Sequence, residues 1–189
     1  MSRIIIALSA VLICQVYARG DLTDFSVITT KGYVSYTVES DWKVLSMRTQ
    51  PPKTAALFQI PNPADNGTPD STNLTLMTFE RDSVEASATF TKLAGKLRSD
   101  GRHEKHKQWD VFAQEAKQDS TDYSIRDAFR EVPGAFVMIR IAWPHLKQNP
   151  KDFDSRMEAL FHSLLDSVSG GIGPKPKKEG EVIRRPIEQ

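Results

Sequence analysis

The sequence has 189 residues, with 25 basic and 24 acidic side chains and a single cysteine, Cys14. This length fits one ordinary domain, which buries roughly 70% of the surface of its unfolded chain. A formal net charge of +1 argues against general binding of nucleic acid, since that activity requires a basic face. One cysteine excludes an internal disulfide, CxxC redox chemistry and a zinc site built from several thiolates.

Residues 1–18 have the pattern of a secretory signal peptide. Arg3 provides the positive start, the apolar run extends from Ile4 to Cys14, and Ala18 ends a plausible cleavage site. A transmembrane helix needs about 20 apolar residues, so this run is too short to span a bilayer comfortably, and a leader retained as an anchor is the alternative. We therefore expect an exported protein, periplasmic or secreted, whose mature chain has no membrane span and no cysteine. Loss of Arg3 would leave 24 basic and 24 acidic residues, a formal charge of zero.

The first half of the chain alternates apolar and polar residues, a pattern that predicts strands. The predicted strands cover residues 24–29 (a short edge strand or lead-in), 33–38, 42–48, 54–60 and 73–79. Ser40-Asp41 is typical of a turn and predicts a hairpin between the second and third strands. Residues 62–71 are polar and rich in turn residues, which predicts a loop.

A helical period then replaces the alternation. Asp82 with Glu85 fits a capping box, and Asp100-Gly101 predicts the end of the helix. The apolar residues at helical spacing are Ala86, Phe90, Leu93, Ala94 and Leu97. Three more strands are predicted at 109–115, 123–131 and 135–144, and Pro133-Gly134 predicts a tight turn between the last two.

The segment 135–144 is apolar on both of its alternating faces, with Val137, Ile139 and Ile141 on one and Met138 on the other. A strand with one wet face would alternate more clearly, so this one is predicted to be central and covered on both sides. Such a strand requires at least one helix packed on the sheet.

A second helix is predicted to start at Asn149-Pro150, a helix cap followed by proline at the first position. Its apolar stripe consists of Phe153, Met157, Leu160, Phe161, Leu164 and Val168. Gly170-Gly171 predicts its end. We expect a single domain at 19–169 and a flexible tail at 170–189, which has few apolar residues.

The order of elements predicts an α+β protein, because the strands are linked by hairpins and do not alternate with helices. The early strand pair ending in Ser40-Asp41-Trp42, the mid-chain helix, and the strand 135–144 followed by an amphipathic helix resemble the PsbP-like (Mog/PsbP/DcrB) fold over residues 24–168. That resemblance implies an α/β/α sandwich with a mainly antiparallel sheet of about six or seven strands and two main helices. Members of this superfamily are typically non-catalytic binding or assembly factors, which implies a similar class here.

Arg140 is a candidate ligand-binding residue, because a charge within a buried strand must be paired or must reach the surface. Its planar guanidinium suits a carboxylate or phosphate ligand. The structural alternative is an ion pair with Asp127 or Glu131 on the preceding strand.

Residues 98–107 (RSDGRHEKHK) form a basic stretch in which Arg102, His103 and His106 could bind an anion or begin a metal site. The alternative is a solvated connection between helix and strand. His145, at the end of a strand, is a further candidate for ligand binding or chemistry. No third metal ligand at a recognisable spacing accompanies the histidines, so no metal and no cofactor are predicted.

Three functions fit this sequence. The first is a non-catalytic binding or assembly module of the cell envelope whose partner is another envelope protein. The second is an envelope hydrolase that uses His145, or His103 with His106, together with a nearby carboxylate. The third is a carrier of a small ligand or metal. The sequence has no G-x-S-x-G, P-loop or HExxH motif, which favours the first function, although a triad defined by geometry alone leaves no motif.

Overall fold

The computed structural model describes residues 21–50, 52–61 and 72–176. The predicted leader, the predicted loop at 62–71 and residues 177–189 of the predicted tail lie outside these ranges. The elements in chain order are β1 (Leu22–Ile28), β2 (Gly32–Glu39), β3 (Lys43–Gln50), β4 (Lys53–Ile60), β5 (Thr72–Glu80), α1 (Val84–Asp100), β6 (Arg102–His106), β7 (Trp109–Gln118), β8 (Thr121–Val132), β9 (Ala135–Pro144), α2 (Phe153–Ser167) and β10 (Ser169–Ile172).

The strands form two antiparallel sheets. The small sheet has the order β1-β2-β10, and the large sheet has the order β3-β4-β5-β9-β8-β7-β6. The α+β class is therefore confirmed for the described residues, which include two helices. The large sheet has seven strands, within the expected six or seven. The arrangement differs in part from the expected α/β/α sandwich, because β1, β2 and β10 form a second sheet that lies with α2 on one side of the large sheet.

The main core lies between one face of the large sheet and a cover made of the small sheet and α2. We call this side of the large sheet the α2 side. Its most deeply buried residues include Tyr36, Phe58, Trp109, Trp143 and Phe161. Burial raises the pKa of Tyr36, whose hydroxyl lies 2.7 Å from the Thr78 hydroxyl across the two sheets.

The opposite face of the large sheet, which we call the α1 side, carries a smaller core. Phe79, Phe112, Phe129 and Met138 pack there against the apolar face of α1. On β9, Val137 faces the main core and Met138 faces this smaller one, and both are buried. The prediction of a central strand covered on both faces is confirmed.

The predicted hairpin at Ser40-Asp41 is wrong. β2 pairs with β1 and β10, whereas β3 pairs with β4, so the chain changes sheets at this corner. The buried ring of Trp42 packs edge-on against Phe58 of β4, at 6.4 Å between ring centroids. The corner between β2 and β3 is thus stabilised by the buried Trp42 side chain, and not by hydrogen bonds between the two strands.

Two strands were not predicted. β6 occupies part of the basic stretch, where a solvated connection was the expected alternative, and it is an exposed edge strand paired with β7. Charged side chains are common on such edges because they discourage pairing with other chains. β10 lies where Gly170-Gly171 was expected only to end a helix, and it pairs with β2.

The glycines of β10 allow its close approach to the sheet. A Cβ at Gly170 would lie 2.8 Å from Val132, and a Cβ at Gly171 would lie 2.6 Å from the Tyr33 ring. The first residues of the predicted tail, 170–172, therefore belong to a strand, while the division of the chain into leader, domain and tail stays a prediction.

Both helices start at residues other than the predicted caps. Ser83, not Asp82, caps α1, and its side chain accepts a hydrogen bond from the backbone N–H of Ala86. α2 begins at Phe153, after turns at 147–148 and 151–152, and the Asn149 side chain instead donates to the Pro144 carbonyl at 2.7 Å. Neither helix among the described residues has the length and apolar character needed to cross a membrane.

Candidate functional site

Arg140 forms a two-point ion pair with Asp127 on the neighbouring strand. Its Nε lies 2.7 Å from Asp127 Oδ1 and its Nη2 lies 3.0 Å from Oδ2, because the turn at Pro133-Gly134 brings the two residues into register. Gln114 donates a third hydrogen bond to Asp127 at 3.1 Å. The structural alternative for Arg140 is therefore confirmed.

Asp127 is fully buried, whereas the Arg140 side chain is 42% exposed. Burial raises the pKa of Asp127, and the hydrogen bonds and charge of Arg140 counteract only part of this effect. The positive charge of Arg140 thus stabilises the ionised carboxylate of Asp127 in its buried position. The pair is neutral as a unit, and the role of Arg140 in binding a ligand stays a prediction.

His145 lies at the end of β9 in a polar cluster on the α2 side of the sheet. Its Nε2 is 2.9 Å from the Ser124 hydroxyl, and its Nδ1 is 3.5 Å from Asp154 Oδ2. The Ser124 hydroxyl also donates to Glu115, at 3.0 Å. The order serine, histidine and carboxylate matches a catalytic triad, but Ser124 is buried and Glu115 competes for its single proton.

The basic stretch is divided by β6, because alternate residues of a strand face opposite sides of the sheet. Arg102 lies on the α2 side and pairs with Glu104, a hydrogen bond that raises the pKa of Arg102. His103 lies on the α1 side, where it stacks on a phenylalanine ring and bonds Asp110 at 2.8 Å. Burial raises the pKa of Asp110, but hydrogen bonds from Lys105 and His103 outweigh it, so the net shift is downward.

His106 belongs to a separate cluster on the α2 side. Its Nε2 lies 2.9 Å from Asp166 of α2, and its ring stacks on His162 with 4.4 Å between centroids. Hydrogen bonds from Lys107 and His106 lower the pKa of Asp166. This cluster joins the edge strand β6 to the last helix.

The five residues predicted to bind a ligand therefore do not form one site. Arg140 and His103 lie on the α1 side, and Arg102, His106 and His145 lie on the α2 side, each with its own acidic partner. A surface cleft of about 330 Å³ lies at the start of α1 and is lined by other residues. Within the described ranges, no three His, Cys, Asp or Glu side chains are grouped so as to hold a metal ion.

A different surface stands out on β3, the edge strand of the large sheet. Val44 is 53% exposed and Met47 is 44% exposed, although they lie opposite Phe58 and Ala56 of β4, which are 2% and 1% exposed. Cross-strand partners share a face of the sheet, so Val44 and Met47 lie on the face that carries the main core. They are exposed because no strand of the small sheet covers them.

The offset between the two sheets explains this exposure. β2 lies over β5, where Tyr36 meets Thr78, and β1 lies over β4, where Phe25 packs edge-on against Phe58 at 5.3 Å. Among the described strands, the small sheet ends at β1, whereas the large sheet continues for one more strand. We call the surface formed by the outer edge of β1 and by Val44 and Met47 the open flank.

The outer edge of β1, the side away from β2, carries a defined set of backbone groups. Thr29 donates to the Gly32 carbonyl, and Ser40 donates to the Asp21 carbonyl. In an antiparallel pair of strands, directly opposite residues exchange backbone hydrogen bonds at every second position. The odd-numbered residues of β1 therefore form the backbone hydrogen bonds to β2. The N–H and C=O groups of Leu22, Asp24, Ser26 and Ile28 consequently point away from β2.

Sequence analysis did not find the open flank. The alternation in residues 42–48 predicts a strand correctly, but it does not indicate that this strand lies at an edge or which face is uncovered. The stretch 42–61 contains three cations and no acidic residue, and this charge pattern was the one signal in the sequence that could have pointed to the surface.

The sequence matches no protein-family model and no curated protein at a significant level. A solved structure from Bacteroides thetaiotaomicron has 14% sequence identity and a TM-score of 0.43, with 78% of this chain and 46% of that chain covered, so this chain spans less than half of that protein. LpqN of Mycobacterium tuberculosis, described as involved in cell envelope biogenesis, has 10% identity and a TM-score of 0.35, with 79% of this chain and 91% of that chain covered. At these TM-scores neither likeness carries an argument, and the resemblance to PsbP-like proteins stays a prediction.

Proposed function

We propose that this protein is an exported, non-catalytic accessory module of the cell envelope that binds another envelope protein through the open flank. The observation that carries this proposal is the contrast between β3 and β4. Residues that share one face of one sheet are half exposed on β3 and fully buried on β4. Apolar side chains that continue a core without a cover mark a surface suited to a protein partner.

Two expectations from the sequence support the same function. Residues 1–18 have the pattern of a cleaved leader, which would place the domain in the periplasm or outside the cell. The resemblance of residues 24–168 to PsbP-like proteins implies a binding or assembly factor and no particular chemistry.

The proposal predicts a position-specific contact in the source cells. A photo-crosslinking amino acid should be placed at Met47, and a matched one at Lys92, which is exposed on α1. We expect irradiation to trap a discrete protein partner from position 47 and none from position 92. Mass spectrometry of the adduct would identify the partner.

A charge placed in the flank provides the control for specificity. In a protein with the crosslinker at Val44, Met47→Asp should abolish the adduct, because a carboxylate in an apolar contact loses its hydration. The thermal unfolding midpoint should change little, because Met47 is already half exposed. Equal adducts from positions 47 and 92, or none from either position in envelope-localised protein, would contradict the proposal.

The His145 cluster favours one alternative, an envelope hydrolase. Ser124 lies within hydrogen-bond distance of His145, and Asp154 lies on the far side of the imidazole. A fluorophosphonate reagent labels activated serine hydroxyls and distinguishes the two functions. Our proposal expects no labelling at Ser124, because the hydroxyl is buried and shared with Glu115.

Ser124→Ala and active trypsin serve as the negative and positive controls for this reagent. Labelling of the wild type that disappears in Ser124→Ala would establish the hydrolase and overturn the non-catalytic function. The reagent reacts with the nucleophile itself, so this result does not depend on knowledge of the substrate.

A further inference from the structure

We propose that the α1 side of the large sheet binds an acidic polysaccharide, which lies between α1 and β3. The residues of this surface, which we call the basic trough, are Leu57, Thr75 and Arg140 on its floor, Lys43 and Arg48 on β3, and Lys92 and Lys96 on α1. The open flank lies on the opposite face of the same sheet, so this inference goes beyond the function proposed above and is tested independently of it.

The floor of the trough is a row of side chains that α1 leaves uncovered. Leu57 of β4, Thr75 of β5 and Arg140 of β9 lie directly opposite one another on adjacent strands, so they share the α1 side. Met138, two residues earlier on β9, packs against α1 and is 2% exposed, whereas the Arg140 side chain is 42% exposed. α1 therefore covers only part of this face, and the row from Leu57 to Arg140 lies beside the helix.

One side of α1 forms a basic border of the trough. Glu85 and Thr89 line the surface cleft at the start of the helix together with Lys53 of β4, so this side of α1 faces β3 and β4. With about 3.6 residues per turn, Lys92 and Lys96 continue the stripe that Glu85 and Thr89 begin. Both lysines are exposed, and they lie above the uncovered row.

The positive charge of the trough is not neutralised by the described part of the chain. The four cations of its borders are exposed, and within the described ranges none of them forms an ion pair. On the same face of the sheet, by contrast, Asp110 pairs with both Lys105 and His103. β3 and β4 contain no acidic residue, and Glu85 lies about two helical turns before Lys92. Since the formal net charge of the chain is only +1, this excess is local.

Arg140 keeps one edge of its guanidinium available for a ligand. Its Nε and Nη2 both bond Asp127, which occupies the side edge of the planar group. The N–H groups of Nη1 remain, and together with the second N–H of Nη2 they form another fork of the kind that binds a carboxylate. Because Asp127 already balances the charge of Arg140, the cations on β3 and α1 supply the attraction for a further anion.

The shape and chemistry of the trough identify the class of ligand. An α-helix with its side chains is about 10 Å wide, so a flat membrane resting on α1 would not reach Arg140. The occupant is therefore a narrow chain. Ser46 and Thr75 lie on either side of Leu57 in the same row, so hydroxyl groups and cations outnumber apolar side chains there. This composition suits sugar rings with carboxylates better than the apolar side chains of a protein partner.

The probe is polygalacturonate, a hydroxylated chain with a carboxylate on every sugar, titrated into the purified protein by isothermal calorimetry. Dextran is the uncharged control, and poly-glutamate is the control for an acidic polypeptide. We expect binding of polygalacturonate that weakens as salt is added, no binding of dextran, and at least about tenfold weaker binding of poly-glutamate.

A pair of charge reversals tests the border on β3. We expect the double variant Lys43→Glu with Arg48→Glu to bind polygalacturonate about tenfold more weakly. The matched control is Lys147→Glu with Lys151→Glu, which changes the net charge equally in the loop before α2 and should stay within about twofold. All four side chains are exposed, so the fold should not change.

A substitution on the floor tests the fork of Arg140 without removal of the arginine. In Thr75→Asp the new carboxylate lies directly opposite Arg140 and would accept the same N–H groups that the ligand requires. We expect about tenfold weaker binding in Thr75→Asp and a change within about threefold in Thr75→Asn. Circular dichroism would verify that both variants fold, and the charge reversals on β3 test the site on an unaltered floor.

Three results would overturn the inference. The first is an absence of binding to polygalacturonate, or equal binding to dextran. The second is equal weakening by the β3 pair and by the control pair in the loop, which would show attraction by overall charge alone. The third is binding of poly-glutamate as tight as that of polygalacturonate, which would assign the trough to an acidic segment of a protein.

Discussion

Replacement of Arg140 by methionine should lower the free energy of unfolding by about 3 kcal/mol near pH 7. The reason is the depth of its partner, since Asp127 is fully buried and would keep only the hydrogen bond from Gln114. Methionine preserves much of the apolar stem of arginine, so lost packing contributes little. Urea denaturation of the wild type and the variant measures the difference.

The dependence on pH identifies the cause of this loss. Burial already raises the pKa of Asp127 in the folded protein, and removal of the cation should raise it further. A carboxyl whose pKa is raised by folding contributes most to stability below its unfolded pKa, and this contribution is lost as the pH rises through the folded pKa. The deficit of Arg140→Met should therefore shrink when the pH falls from about 7 to about 4.5.

Neutralisation of the carboxyl provides the control. In the double variant Arg140→Met with Asp127→Asn, no buried charge remains, so most of the lost stability should return near pH 7. A deficit in Arg140→Met that is the same at both pH values, or that persists in the double variant, would show that Asp127 does not require its cation.

Phe161→Ala should also cost about 3–5 kcal/mol of stability, because its ring is fully buried between α2 and the two sheets. Leu164 and Leu165 of the same helix are buried in the same core, so the cavity would open within it. We expect a lower urea midpoint with an unchanged slope, since the folded state keeps its architecture.

Phe90→Ala on α1 is the matched comparison. Phe90 is only partly buried, although it contacts the rings of Phe79, Phe129 and Phe136. Its loss should cost clearly less than that of Phe161, because α1 covers a smaller core than the layer formed by α2 and the small sheet. Equal losses at the two positions would contradict this difference between the two sides of the large sheet.

Local patterns predicted most of the elements. The alternation in 33–38, 54–60 and 73–79, and the apolar stripes of both helices, correspond to β2, β4, β5, α1 and α2. The pairing of Arg140 with Asp127 was also predictable, because a two-residue turn at Pro133-Gly134 determines the register of the strands beside it. These predictions depend on neighbours within a few residues or on a single hairpin.

The missed elements depend on distant parts of the chain. β6 is charged along its length and has no apolar period, so only its pairing with β7 makes it a strand. β10 contains two glycines, and its strand conformation follows from the fit of Gly170 against Val132 and of Gly171 against Tyr33. Propensity cannot predict such strands, because the partner supplies both the hydrogen bonds and the shape.

The surroundings of the candidate site residues also depend on distant parts of the chain. His103 and His106 are three residues apart in the sequence, yet β6 places them on opposite faces with different acidic partners. His145 meets Ser124, Glu115 and Asp154, which come from β8, β7 and α2, so no spacing in the sequence predicts that cluster. Residue types indicated which side chains require partners, whereas the order of the strands selected the partners.

The sequence by itself determined the α+β class, the central double-faced strand β9, and the dependence of Arg140 on a nearby carboxylate, since each follows from periodicity or from one turn. The tertiary structure alone decided that the strands divide into two sheets and that the small sheet ends one strand before the large one. The offset is a relation between layers, and no local property of residues 43–50 encodes it. For that reason Val44 and Met47 resemble ordinary core residues in the sequence and become the open flank only in the folded protein.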